Sequence, residues 1–264
     1  MNTSKNSITD RKPFVDHLTD LRSTILRSLL CILIGMAICF CFVPALIALL
    51  KYPLVSMLTA YQHQQPFLRT LKPTGAFIMA LRISFTGGLV ISLPVILYFL
   101  TTFFIPALTT REKKTLPTFF FFGTILFFGG IAFCYFIVLP SALQFLWKFA
   151  SWLNVQNDWT LEYYISFVLR FLIVFGLAFE LPVVLISLVK IRILSFQQLH
   201  NTRPYIILII FVFAAILTPP DIFTQIMLAL PLLLLYEISV WTAYLISKKR
   251  AENADKKNET TVDK

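Results

Sequence analysis

The chain has 264 residues, of which 58 % are hydrophobic, 15 % aromatic and only 14 % charged, with a mean hydropathy of +0.79. A soluble domain carries roughly a quarter of its residues charged, so this composition excludes one and indicates an integral membrane protein. The net charge of +10 then reads as a membrane-topology signal and not as a nucleic-acid footprint, because Lys and Arg fall between apolar runs.

In chain order, the polar start MNTSKNSITDRKPFVDHLTDLR leads into apolar runs at Ile25–Leu50, Gly75–Phe104, Phe119–Leu139, Tyr163–Val189, Tyr205–Leu217 and Ile222–Ile246. A helix needs about 20 apolar residues to cross ~30 Å of hydrocarbon. The runs are continuous and rich in Leu, Ile and Phe, whereas barrel strands alternate over about 10 residues. The expectation is an all-α integral membrane protein with six transmembrane helices. Three units follow: residues 1–24 as a cytoplasmic segment, 25–246 as the membrane domain, and 247–264 as a charged tail without apolar periodicity, expected to be disordered. The start is expected to be retained and not cleaved as a signal, since the first run is too long and lacks a convincing small-residue cleavage site. The Tyr205–Leu217 run is short, and LTPPD (Leu217–Asp221) joins it to the last run. Two prolines stop one helix and start the next, so these two helices must be antiparallel neighbours.

Placing the N-terminus, the loops at 105–118 and 190–204 and the tail on one side gathers most of the 23 basic residues there. Lys51, Arg69, Lys72 and Lys148 fall on the other side, and Arg82 and Arg170 lie within runs. Both termini are therefore expected in the cytoplasm. The cysteines Cys31, Cys39, Cys41 and Cys134 lie within the first and third runs, which fits neither a disulfide framework nor a zinc site; they read as buried small apolar residues. His17, His63 and His200 sit in three different predicted loops, and no phosphate-binding glycine loop, HExxH, GxSxG or GxxxG occurs. No enzyme chemistry and no cofactor or metal is expected.

Function must then lie in polar residues at and within the membrane. In HLTDLRSTIL, Leu18, Leu21, Ile25 and Leu29 repeat at helical spacing, an interfacial turn running into a span. Asp20 and Arg22 are two apart and point to different faces, so each is available for another partner. Glu112 is the single acid among Arg111, Lys113 and Lys114; it could cap the next helix or receive a guanidinium as a bidentate pair. Glu180, in FGLAFELPVVL, lies ten residues from Lys190, ~15 Å from the interface at 1.5 Å per residue. An ionised acid at that depth costs about 2.5 to 3.5 kcal/mol and must face protein, pair or protonate. Arg170 is another ten residues away on a different face, and Pro182 frees a carbonyl near Ala178. In LTPPDIFTQIML, Asp221 suits an N-cap, and Thr218 and Gln225 could bond to a neighbouring helix.

These segments together resemble the TatC family, the multispanning component of the twin-arginine protein translocase. The pieces that carry the resemblance are HLTDLR, SLPVILY followed by FIPAL and REKK, FGLAFELPVVL, RPYIIL, LTPPDIFTQ and YEI, in family order over residues 14–246. The resemblance implies a curved six-helix bundle with both termini cytoplasmic and short fifth and sixth helices. It also implies a location in the bacterial inner membrane. By the same resemblance, the protein is a receptor for twin-arginine signal peptides of folded cargo, driven by the proton-motive force and associating with itself and with single-span TatA- and TatB-like partners. Motif position assigns signal-peptide binding to Asp20 and Glu112, with Arg22 in an orienting role. The family usually has Glu where Asp20 stands, one methylene longer. Glu180 matches an intramembrane glutamate expected on the concave side, and partner docking falls on Thr218, Pro219, Pro220, Asp221 and Gln225. The alternative from physics alone is a proton-coupled secondary transporter with Glu180 as carrier site. Inverted repeats would support it, and none is evident.

Overall fold

The computed structural model describes residues 14–60, 68–104, 116–155, 159–191, 193–217 and 222–262. The chain is built from helices α1 (Phe14–Cys41), α2 (Val43–Ala60), α3 (Gly75–Phe104), α4 (Leu116–Phe133), α5 (Leu139–Trp152), α6 (Leu161–Phe179), α7 (Leu181–Lys190), α8 (Phe196–Asn201), α9 (Arg203–Leu217) and α10 (Ile222–Val262). Among the described residues the extended pairing is a single bridge between Arg69 and Thr160. The stretches 18–41, 75–102, 117–152, 161–190 and 222–249 are helical, long and apolar enough to cross a membrane; α9, of 15 residues, is shorter. Many large apolar side chains face outward, as lipid permits: Leu29, Leu30, Leu33, Ile34 and Ile38 of α1 are all exposed.

Prolines divide the apolar runs. The run 25–50 is two helices rather than one span, because Pro44 has no N–H to continue the ladder. The chain turns at Phe42, whose N–H donates to the Cys39 carbonyl (3.0 Å), and Leu46 N–H donating to Phe42 (3.0 Å) starts α2. The third run extends well past Leu139, to Trp152. Pro140 cannot bond back to Phe136, and the preceding turn, Cys134–Val138, widens to a π-helix in which Leu139 N–H donates to the Cys134 carbonyl. At the α6–α7 junction Glu180 N–H donates to Leu177 (3.1 Å), Pro182 donates nothing, and Val184 N–H resumes the ladder onto Glu180 (3.0 Å).

The seams between helices fix their directions. On α1 and α3, Gly35 and Cys39 meet Gly88 and Gly87: a Cβ added at Gly35 would lie 2.9 Å from the Gly88 carbonyl oxygen. Small residues let two backbones approach this closely where lipid offers no hydrophobic drive for association. The pairing is antiparallel and brings the first turns of α1 level with the end of α3. On α4 and α6, Gly123 meets Glu180 and Gly130 meets Phe175, again antiparallel. Phe127, Phe171 and Phe175 are fully buried in the main core, which α2 joins through Leu50, Leu54 and Leu58. Tyr164 Oη donates to the Leu50 carbonyl (2.7 Å) and ties α2 to α6.

Arg203 Nη2 donates to Glu237 Oε2 (2.9 Å), and Gln225 Nε2 donates to the Phe211 carbonyl (3.2 Å), so α9 and α10 form the antiparallel hairpin that LTPPD requires. Three expectations change. The last helix is not short, since its apolar part runs 28 residues. Residues 247–262, expected to be disordered, continue that helix as far as Val262. Lys, Arg, Ala and Glu are good helix formers, and a helix already nucleated propagates through them at little cost. Of the cysteines, Cys39 and Cys134 are buried but Cys41 is exposed, because α1 ends there with that face uncovered.

Candidate functional site

Each candidate residue takes its place from this framework. Asp20, half-buried, and Arg22, exposed, sit in the first turns of α1, which begins at Phe14 and so carries the HLTDLR motif on a helix rather than a loop. Glu112 lies outside the described residues. The helices flanking it, α3 and α4, end and begin at the same end of the bundle as the first turns of α1. At that end Lys190 Nζ stands 5.1 Å from the centre of the Phe119 ring, closing α7 onto α4.

Glu180 faces protein, as its depth demands. It is 9 % exposed and lies across the seam from α4, where glycine leaves the space for its carboxylate: a Cβ added at Gly123 would sit 2.8 Å from Glu180 Oε2. Oε1 is buried without a hydrogen-bond partner, and so is Thr124 Oγ1, the residue after Gly123. A buried oxygen left this way is costly unless it takes a proton or a donor. The α4–α6 seam therefore holds polar capacity that the described residues leave unused. Gly123 is a contributor that the sequence reading did not identify, since nothing in GTILFF marks a residue fifty-seven positions from Glu180 as its neighbour.

We expect Gly123→Ala to cost about 1 kcal/mol, because the flexible end of Glu180 must swing aside within a packed seam. Glu180→Ala should relieve part of that cost, giving a coupling of roughly 0.5 kcal/mol or more in a double-mutant cycle of thermal stability in detergent. Strict additivity would remove the contact.

Thr218, Pro219, Pro220 and Asp221 lie outside the described residues. Gln225 is half-buried and bonded to α9 as above, and Thr224 beside it is fully buried. The structure thus keeps three separate groups: Asp20 and Arg22 at one end, Glu180 in the middle, and Gln225 at the opposite end. No group of three His, Cys, Asp or Glu residues able to hold a metal occurs among the described residues.

The comparisons identify the arrangement. The family described as TatC, Sec-independent protein translocase protein, matches residues 16–231. This chain belongs to the TatC family. It is 39 % identical over 241 residues to the Aquifex aeolicus Sec-independent protein translocase protein TatC, covering 91 % of this chain and 98 % of that one. The Desulforapulum autotrophicum protein of the same name is 35 % identical over 261 residues, 96 % and 95 % of the two chains. Against an Akkermansia muciniphila relative the match is 40 % over 185 residues and spans 53 % of that longer protein. A solved structure described as the twin-arginine translocase receptor TatC superposes with a TM-score of 0.79 at 39 % identity, over 88 % of this chain and 99 % of that one. As a TatC-family chain it is a component of protein transport, and the secondary-transporter alternative loses its ground.

Proposed function

We propose that this chain is the receptor and core subunit of a twin-arginine translocase in a bacterial inner membrane, binding the signal peptides of folded cargo. The observation that supports it is the family match over residues 16–231 joined to a likeness, at 39 % identity, to a solved twin-arginine translocase receptor. In this reading α9 is a short fifth span, making six in all, and both termini are cytoplasmic. The end of the bundle holding Asp20 is then the cytoplasmic face, where Asp20 and Glu112 receive the two signal arginines and Arg22 orients the site.

Glu180 then offers its unpartnered oxygen to a polar group on an inserted signal or partner helix. Residues Thr218, Pro219, Pro220, Asp221 and Gln225 dock single-span TatA- and TatB-like proteins. Residues 1–24 and 247–264 are its cytoplasmic flanks, and energy comes from the proton-motive force.

The test is complementation. In a strain deleted for its own gene and any second copy, this chain with its partners should restore export of a twin-arginine reporter but not of a twin-lysine control. Export that persists without the chain would overturn the proposal. Cysteine placed at Gln225 should crosslink to a single-span partner more strongly than cysteine at Phe136, an exposed residue of the π-helical turn; the reverse ranking would move the docking site away from α10.

A further inference from the structure

We propose that a cleft between α5, α6 and the end of α9 binds the phosphate of an anionic phospholipid, with Arg170 and Arg82 supplying the positive charge. The cleft is about 370 Å³, and its lining includes Arg170, Ser166, Thr160, Tyr163 and Trp159. Arg170 is exposed in the first third of the 161–190 membrane-spanning stretch and makes no hydrogen bond or ion pair among the described residues. An uncompensated guanidinium at that position costs free energy, which an anion in the cleft would offset.

A second cation reaches the same face. Arg82 of α3 donates from Nη1 to Ser166 Oγ (2.8 Å), and Ser166 lies one helical turn before Arg170. Helical side chains lean toward the N-terminus of their helix, so the Arg170 guanidinium leans back toward Thr160 and Tyr163 at the membrane boundary. These hydroxyls and Arg170 give the cleft donors suited to phosphate oxygens, and Arg82, bonded to the lining Ser166, adds its charge from behind.

Two further features specify a lipid. The rest of the lining is apolar, including Leu143 and Leu217, and so can receive the start of an acyl chain. This end of the bundle also carries Lys51, Arg69, Lys72 and Lys148, while its described acid, Glu162, is packed onto Gly75. Among the described residues the cleft lining carries the Arg170 cation and no carboxylate, a charge that suits anionic phosphatidylglycerol better than a zwitterionic lipid.

The test releases the full chain from nanodiscs of phosphatidylglycerol and phosphatidylcholine and measures retained lipid by native mass spectrometry. Arg170→Gln should lower phosphatidylglycerol retention about tenfold. Tyr163→Phe, which changes one exposed hydroxyl and leaves the packing intact, should lower it about threefold. Lys249→Gln, at the opposite end, should change nothing, and a large excess of inorganic phosphate should not displace the lipid. Unchanged retention in both cleft variants overturns the proposal and leaves the cleft to a protein occupant. An equal loss in Lys249→Gln reduces it to bulk charge, and displacement by inorganic phosphate shows that the acyl chain is not held.

Discussion

Gly88→Val should prevent α1 from seating on α3. A Cβ at Gly88 meets backbone and not movable side chain: it would lie 2.8 Å from Met36 Cα and 2.9 Å from the Gly35 carbonyl carbon. Neither atom can turn away, so the helices must separate, and overpacking at a rigid contact costs about 1 to 3 kcal/mol or more. Little else holds α1, since Gly35 and Cys39 are its only buried residues among those described. The expected result is a fall in thermal stability in detergent and rapid proteolysis between α1 and α3. The control is Gly129→Val, on the same type of apolar helix, where an added Cβ meets nothing within 4 Å. If the two variants are equally stable, the α1–α3 crossing is not the close contact described.

The consequence reaches function through position. The α1–α3 seam sets where Asp20 and Arg22 stand relative to the helices that flank Glu112, so loosening it should also weaken signal binding without touching either acid.

The second large effect is expected at Glu112 itself. If Glu112 receives a signal arginine as proposed, Glu112→Lys should reduce export of a twin-arginine reporter at least about thirtyfold, since losing one partner of such a charge pair costs roughly 2 kcal/mol or more and reversal adds repulsion. The measurement is exported reporter activity beside a twin-lysine control, with the variant's abundance checked by immunoblot. Normal export at normal abundance would take Glu112 out of the receptor role. Asp20→Glu, which restores the longer side chain usual in the family, should keep export or raise it, whereas Asp20→Lys should reduce it.

Much of this protein is legible in its sequence. Apolar runs of membrane-spanning length announce the helices, because a bilayer demands that backbone polar groups be satisfied within each segment. Some prolines locate breaks, as Pro182 does beside Glu180, where the missing N–H acts locally, whereas Pro53, Pro94 and Pro231 lie within continuous helices. LTPPD specifies the hairpin of α9 and α10 for the same reason. The break at Pro44 was equally available but was obscured by the unbroken hydrophobicity of 25–50, which suggests a single span. Hydropathy measures compatibility with lipid and carries no information about a bend.

Which distant residues meet depends on how the helices pack. Depth along α6 says that Glu180 must face protein, but not that Gly123 provides the space, that Arg82 reaches Ser166, or that Arg203 pairs with Glu237. These contacts join residues on different helices, set by how small residues let the backbones approach and in what register. A single sequence records each helix's own periodicity, while the register between two helices is a property of both surfaces packed together. The sequence thus determined that this chain is a membrane bundle carrying an intramembrane acid and the motifs of its family. The packing determined that the acid rests on a glycine with one oxygen unsatisfied.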